Sequence, residues 1–149
     1  MKLEIELVPK TCWYNNLRKV LPRKEWDKLR KEVYKKAEYR CEICGSTGKL
    51  NCHEKYSYDD NKLVQKLEGF VALCDNCHYI KHIGFVNVQI AEGKLPGTIF
   101  CELEKHFAKV NECCHEDFKE HIRKAFEIWK RRSRKNWRTD LGEYINLIK

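Results

Sequence analysis

Proline and glycine are scarce, 3 and 7 residues in a chain of 149, which excludes a collagen-like, low-complexity or linker-dominated protein. Long apolar runs are missing as well. No stretch approaches the roughly 18 residues that a membrane span requires, and Met1-Lys2-Leu3-Glu4-Ile5-Glu6 alternates charge where a signal peptide would be apolar. The expectation is a soluble, cytoplasmic protein with no membrane partner. At 42% hydrophobic residues the chain has enough apolar surface to offset the entropy of ordering, and its length suits one core and one domain, 1–149.

Acidic side chains are in deficit, 22 against 30 basic ones, for a formal net charge of +8. The deficit is uneven. Residues 1–40 carry 12 basic and 6 acidic side chains, residues 41–100 carry 6 and 7, and residues 101–149 carry 12 and 9. Basic flanks around a nearly neutral centre suit a chemical module held against a polyanion by its surroundings.

Cysteine is abundant, at 9 residues. The count is odd and two Cys-x-x-Cys pairs are present, Cys41-Glu42-Ile43-Cys44 and Cys74-Asp75-Asn76-Cys77, which points to metal-binding thiols rather than a disulfide frame. Two such turns supply the four-sulfur shell that zinc favours, and Gly45 frees the backbone to curl round the ion. A four-thiolate site keeps no open position, so its role is structural. Cys12, Cys101, Cys113 and Cys114 are read as small buried hydrophobes. A second cluster, Cys101, His106, Cys113, Cys114, His115 and His121, has no familiar knuckle spacing and is the less favoured metal reading.

Leu3, Ile5 and Leu7 alternate with charged residues and predict a short strand ended by Pro9. Trp26, Leu29, Val33 and Ala37 line one face of a helix over 22–40. Residues 41–77 read as hairpin and knuckle, and 78–83 as a helix that Gly84 stops or kinks. Val86, Val88 and Ile90 alternate too briefly to assign. Ile99, Leu103, Phe107 and Val110 suit one helix, and Phe118 through Trp129 suit a longer one over about 116–135. Asp140 is placed to cap a terminal turn bearing Leu141, Tyr144, Ile145 and Ile148.

His53 and Glu54 follow Cys52, and His78 follows Cys77 with His82 four residues on, so His78 and His82 share one helical face. Closing four cysteines on one ion folds the His53 segment back towards His78. The order Cys41-Glu42-Ile43-Cys44-Gly45, Cys52-His53-Glu54, then Leu73-Cys74-Asp75-Asn76-Cys77-His78-Tyr79-Ile80-Lys81-His82 resembles the HNH nucleases. Three further stretches, Trp26 to Arg30, His106 to Asn111 and Trp129 to Arg134, are similar to small bacterial proteins labelled HNH-type, whose activity is not established.

The resemblance implies an α+β fold, a zinc-stapled ββα-metal module over about 39–84 wrapped by N- and C-terminal helices in 22–40 and 99–149. It implies metal-dependent hydrolysis of phosphodiester bonds in DNA, with RNA as the second choice. His53 would be the general base and His78 a ligand of a second divalent ion (Mg²⁺, Mn²⁺, Ni²⁺ or Zn²⁺), with His82 a further ligand. Two departures stand out: Cys52 occupies the place of an Asp or His ligand, and Glu68-Gly69-Phe70-Val71 lacks the Asn that orients the base, leaving Asn61, Asn76 or Glu54 as substitutes. Cys52 as a thiolate suits zinc beside His78 and His82, whereas magnesium prefers oxygen. The second site is then either catalytic or another staple. The rival reading is a non-catalytic zinc module that binds nucleic acid or protein.

Residues 129–138 hold six cations, Lys130, Arg131, Arg132, Arg134, Lys135 and Arg138, interleaved with Trp129 and Trp137. The cations are the expected phosphate contacts, Trp129 fits the apolar stripe of its helix, and an indole here can also stack on an unpaired base.

Overall fold

A computed structural model describes residues 1–13 and 15–148, with the side chain of Ile148 outside the described set. Helix α1 (Leu17–Val20) leads into α2 (Arg23–Lys36). Pro22 stands at the α2 N-cap, and Glu25 in the first turn and Lys35 and Lys36 in the last complement the helix dipole. Trp26 turns inward from α2 and joins Leu17, Leu21 and Leu67 in one core cluster. The helix ends short of the expected boundary because Glu38 and Tyr39 take left-handed backbone angles, φ 56° and 58°.

Strands β1 (Asn51–Asp59) and β2 (Val64–Leu73) form an antiparallel hairpin with His53 opposite Val71 and a bulge at Lys55/Tyr56. Asp59 Oδ1 accepts the N–H groups of Asn61 and Lys62 and closes the turn. A strand that periodicity did not announce, β3 (Arg138–Asp140), pairs parallel to β2, giving the sheet order β1-β2-β3. Three residues are too few to show alternation. Helix α2 packs on one face of the hairpin, and α3 (Asp75–Lys81) packs near its other face.

The chain then forms α4 (Ile83–Ala91), α5 (Ile99–Asn111) and α6 (His115–Arg132). The break after α3 falls at His82 (φ −112°, ψ 44°) and not at Gly84, which lies inside α4. The brief alternation of Val86, Val88 and Ile90 is thus helical. Leu73, Ile80, Ile83, Val86, Leu103, Phe107 and Phe118 build the main core; each such apolar side chain contributes about 1.5–3 kcal/mol when fully buried.

The N-terminal segment corrects an expectation. Leu3 and Ile5 are buried in the main core, but the segment is in no sheet among the described residues. Three of its amides go to side chains instead, Asn111 Oδ1 accepting from Lys2 and Leu3 and His121 Nε2 from Ile5, each at 2.9 Å, and the Glu6 amide goes to the Lys81 carbonyl. Alternation reported which side chains turn inward, a property of any extended chain, and said nothing of a pairing strand. At the other end Asp140 Oδ1 accepts the Gly142 amide at 2.8 Å and caps a 3-10 turn, Gly142–Ile148. The architecture is mixed α and β, with a small sheet among helices.

Candidate metal centres

The first Cys-x-x-Cys pair is a tight turn after α2, closed by the Gly45 amide on the Cys41 carbonyl at 2.9 Å, with Gly45 at φ +76°. Glu42 pins that turn to β2, its amide reaching the Ala72 carbonyl and its carboxylate accepting the Ala72 amide. The second pair opens α3, where Cys74 is the N-cap and its sulfur accepts the Cys77 amide at 3.4 Å. The hairpin therefore carries one knuckle to the other.

The sulfurs of Cys41, Cys44, Cys74 and Cys77 lie within 4.8 Å of one another. This spacing fits one ion with sulfur bonds of about 2.3 Å, as zinc makes. A hydrogen bond from Cys77, helped by backbone amides of Cys44, Cys74 and Ile43, holds Cys41 at about 4 against the upward push of burial. The same hydrogen bond and burial push Cys77 up. One thiolate is already favoured, and a divalent cation would draw the remaining protons off.

A second group forms beside it. His53 comes from β1, His78 from α3 and His82 from the α3–α4 junction, each offering a ring nitrogen within 4.8 Å of the others. The Nδ1 of His53 is 3.1 Å from Nε2 of His82, and the ring centroids of His78 and His82 are 4.7 Å apart. Burial, reinforced by the neighbouring His53, lowers His78 to about 4 and His82 to about 3. Both are neutral near pH 7 and can offer lone pairs to a cation.

The other nitrogen of His53 meets a residue that sequence reasoning missed. Glu6 Oε2 lies 3.1 Å from His53 Nε2, and Glu6 Oε1 accepts from Lys81 Nζ at 2.8 Å. Burial works to raise the Glu6 pKa, but hydrogen bonds from His53 and Lys81 overcome it and hold the carboxyl at about 2. A cavity of about 190 Å³ borders this contact, lined by Lys2, Glu6, Glu42, His53, Lys55 and Lys81 among others. No sequence signal marked Glu6, since it sits in the polar phase of an ordinary alternating segment.

Cys52 does not join the histidines. Side chains alternate along β1, so the residue beside His53 faces the other way, where Cys52 packs against the cluster of Leu17, Leu21, Trp26 and Leu67. Burial first, then Glu54, pushes its thiol up to about 12. Glu54 is committed elsewhere too, accepting the Leu17 amide at 2.6 Å and the Tyr56 hydroxyl at 3.2 Å. Neither it nor Asn61 or Asn76 is paired with His53, whose two nitrogens meet His82 and Glu6.

The C-terminal cations divide. Lys130, Arg131, Arg134, Lys135 and Arg138 are exposed. Arg132 instead makes two 2.9 Å bonds to Asp60 and lies 4.7 Å over the Tyr58 ring. Trp137 is buried, its N–H on the Arg132 carbonyl at 2.9 Å, which removes it as a base-stacking platform. Trp129 packs against Trp13 and donates to the Val8 carbonyl.

Of the remaining cysteines only Cys12 is fully buried; Cys101 and Cys114 are exposed, contrary to the packing role expected of them, Cys101 lying in α5 and Cys114 capping α6 with its sulfur on Asp117 Oδ2 at 3.2 Å. The second Cys/His cluster does not converge among the described residues. His106 turns to Cys77 and His121 to the Ile5 amide. No described helix is long and apolar enough to cross a membrane. No family model, curated protein or solved structure matches this chain.

Proposed function

We propose that this protein is a metal-dependent hydrolase of phosphodiester bonds in DNA, built on an HNH-like ββα-metal scaffold with a structural zinc on Cys41, Cys44, Cys74 and Cys77. One observation carries the reading: a hairpin strand and the helix after it deliver His53, His78 and His82 to one point beside the four sulfurs. Three imidazole ligands leave a position open on a tetrahedral ion, which is the ligand arrangement of catalytic rather than structural zinc.

His53, His78 and His82 would hold the ion. A divalent cation there supplies Lewis-acid activation of water and charge neutralisation at a phosphoryl oxygen. The three side chains orient it and, being largely buried, exclude bulk water from their side of it. A ligand role fits His53 better than the general-base role implied by the HNH resemblance, because its side chain is only 4% exposed and both nitrogens are engaged. Nitrogen donors favour zinc or nickel over magnesium or manganese. Arg18 and Lys49 lie near enough to His78 to disfavour its charged form, and the same cations would attract a phosphodiester. Lys130, Arg131, Arg134, Lys135 and Arg138 would hold the backbone of the duplex.

The low exposure of His53 also favours a second reading, in which the three-histidine centre is another staple and the protein binds nucleic acid without cutting it. Incubating supercoiled plasmid with the zinc-loaded protein and added Mn²⁺, Ni²⁺, Zn²⁺ or Mg²⁺ separates the two. Nicking that disappears in His78→Ala and His82→Ala supports the hydrolase. Salt-sensitive DNA binding with no nicking under any metal overturns it in favour of the staple.

A further inference from the structure

We infer that Glu6, held by Lys81, is the positioning residue of the three-histidine centre: it fixes His53 as an Nδ1 metal ligand. The inference rests on the reading of that cluster as a metal centre. A carboxylate can only accept, so Glu6 Oε2 at 3.1 Å requires the His53 proton on Nε2. The lone pair is then on Nδ1, the nitrogen 3.1 Å from His82 Nε2 and on the side of the shared site. Because Nε2 lies across the ring from Nδ1, Glu6 acts on His53 from outside and is not itself a ligand of the same ion. Such outer carboxylates set ring tautomer, orientation and basicity in metal-binding histidines.

The carboxylate is itself locked at two points. Lys81 Nζ donates to Oε1 at 2.8 Å, and the Glu6 amide donates to the Lys81 carbonyl at 3.1 Å. Lys81 is 8% exposed and sits one residue before His82, at the end of α3. The extended N-terminal segment thus closes the site, bringing Glu6 to a histidine 47 positions away in the sequence.

The test titrates Zn²⁺ into metal-free protein against a chromophoric chelator. The parent should take two ions per chain, one tight at the four cysteines and one weaker at the histidines. Glu6→Ala should weaken only the second, by about 10- to 100-fold, and Glu6→Gln, which retains an acceptor without the charge, should recover part of the loss. Because a cavity borders Glu6, truncation admits water; an unchanged four-cysteine step reports that the fold is intact. Imidazole ¹⁵N spectra of protein carrying one zinc per chain, at the four cysteines, should show a single Nε2–H tautomer of His53 in the parent and a mixture in Glu6→Ala, a signature that mere loosening would not produce. A second-step affinity within about twofold of the parent with an unchanged tautomer, or a parent that takes one zinc only, overturns the assignment. A parent that binds two ions and responds to Glu6→Ala, yet never nicks DNA, keeps the assignment and removes the hydrolase reading. Nicking with no response to Glu6→Ala does the reverse.

Discussion

The Nε2 of His106 lies 3.2 Å from the Sγ of Cys77, so a histidine of α5 reaches the four-cysteine centre from 29 positions along the chain. Burial lowers the His106 pKa, with the Cys41 charge opposing, and a neutral ring with its proton on Nε2 would donate to a Cys77 thiolate. Spreading that negative charge stabilises the metal-bound form. His106→Ala should lower zinc affinity at the four cysteines by about tenfold and leave the three-histidine step unchanged. Competition with a chelator measures both.

Removing the ion should have a larger effect than any single packing change. The first knuckle, β2 and the start of α3 meet at the sulfurs, and structural zinc contributes on the order of 10 kcal/mol to small zinc domains. Chelation, or Cys41→Ala, is expected to abolish cooperative unfolding, read by circular dichroism. Cys52→Ala should keep both ions and cost about 1–2 kcal/mol from the lost packing against the cluster of Leu17, Leu21, Trp26 and Leu67.

Arg132 and its exposed neighbours should separate stability from DNA binding. Arg132→Ala removes the bidentate pair with Asp60 and the contact with Tyr58, and should cost about 1 kcal/mol in a thermal melt. The salt dependence of DNA affinity should stay as in the parent. Arg131→Ala and Arg134→Ala should behave the other way, each lowering the slope of log K against log salt by about 1 with little change in stability.

Acid should release the N-terminal segment. His121 Nε2 accepts the Ile5 amide, which requires that nitrogen to be unprotonated. Burial, opposed by Glu4, holds the folded pKa below the ordinary 6.5. The unfolded chain therefore binds the proton more readily, so this contribution is complete above the unfolded pKa and is lost as pH falls through the folded one. His121→Gln retains an acceptor that does not titrate. Its melting temperature should fall less steeply than the parent's below about pH 6.5; parallel curves would remove His121 as a contributor.

Local chemistry was legible wherever the partners are close in sequence. The knuckle sulfurs are three residues apart, and His78 and His82 are one helical turn apart, so spacing alone placed them. The long helices followed from their apolar stripes. Spacing also suggested that His53 would fold back on α3, because one ion on four cysteines requires the hairpin between them to close.

What remained hidden depends on contacts with no local period. Cys52 and His53 are adjacent, yet strand alternation sends one to the Trp26 core and the other to the histidine cluster, and only the surrounding packing assigns each face. Glu6, His106 and Arg132 look like an ordinary acid, a helical histidine and one cation of a basic run. Their roles come from partners 47, 29 and 72 positions away. The residue types and local spacings thus prescribe two groups of side chains that could hold a metal ion. Which second residue steadies each set is decided when the N-terminal segment and α5 pack around α3, because hydrogen bonds act over about 3 Å of space whatever the length of chain between the partners.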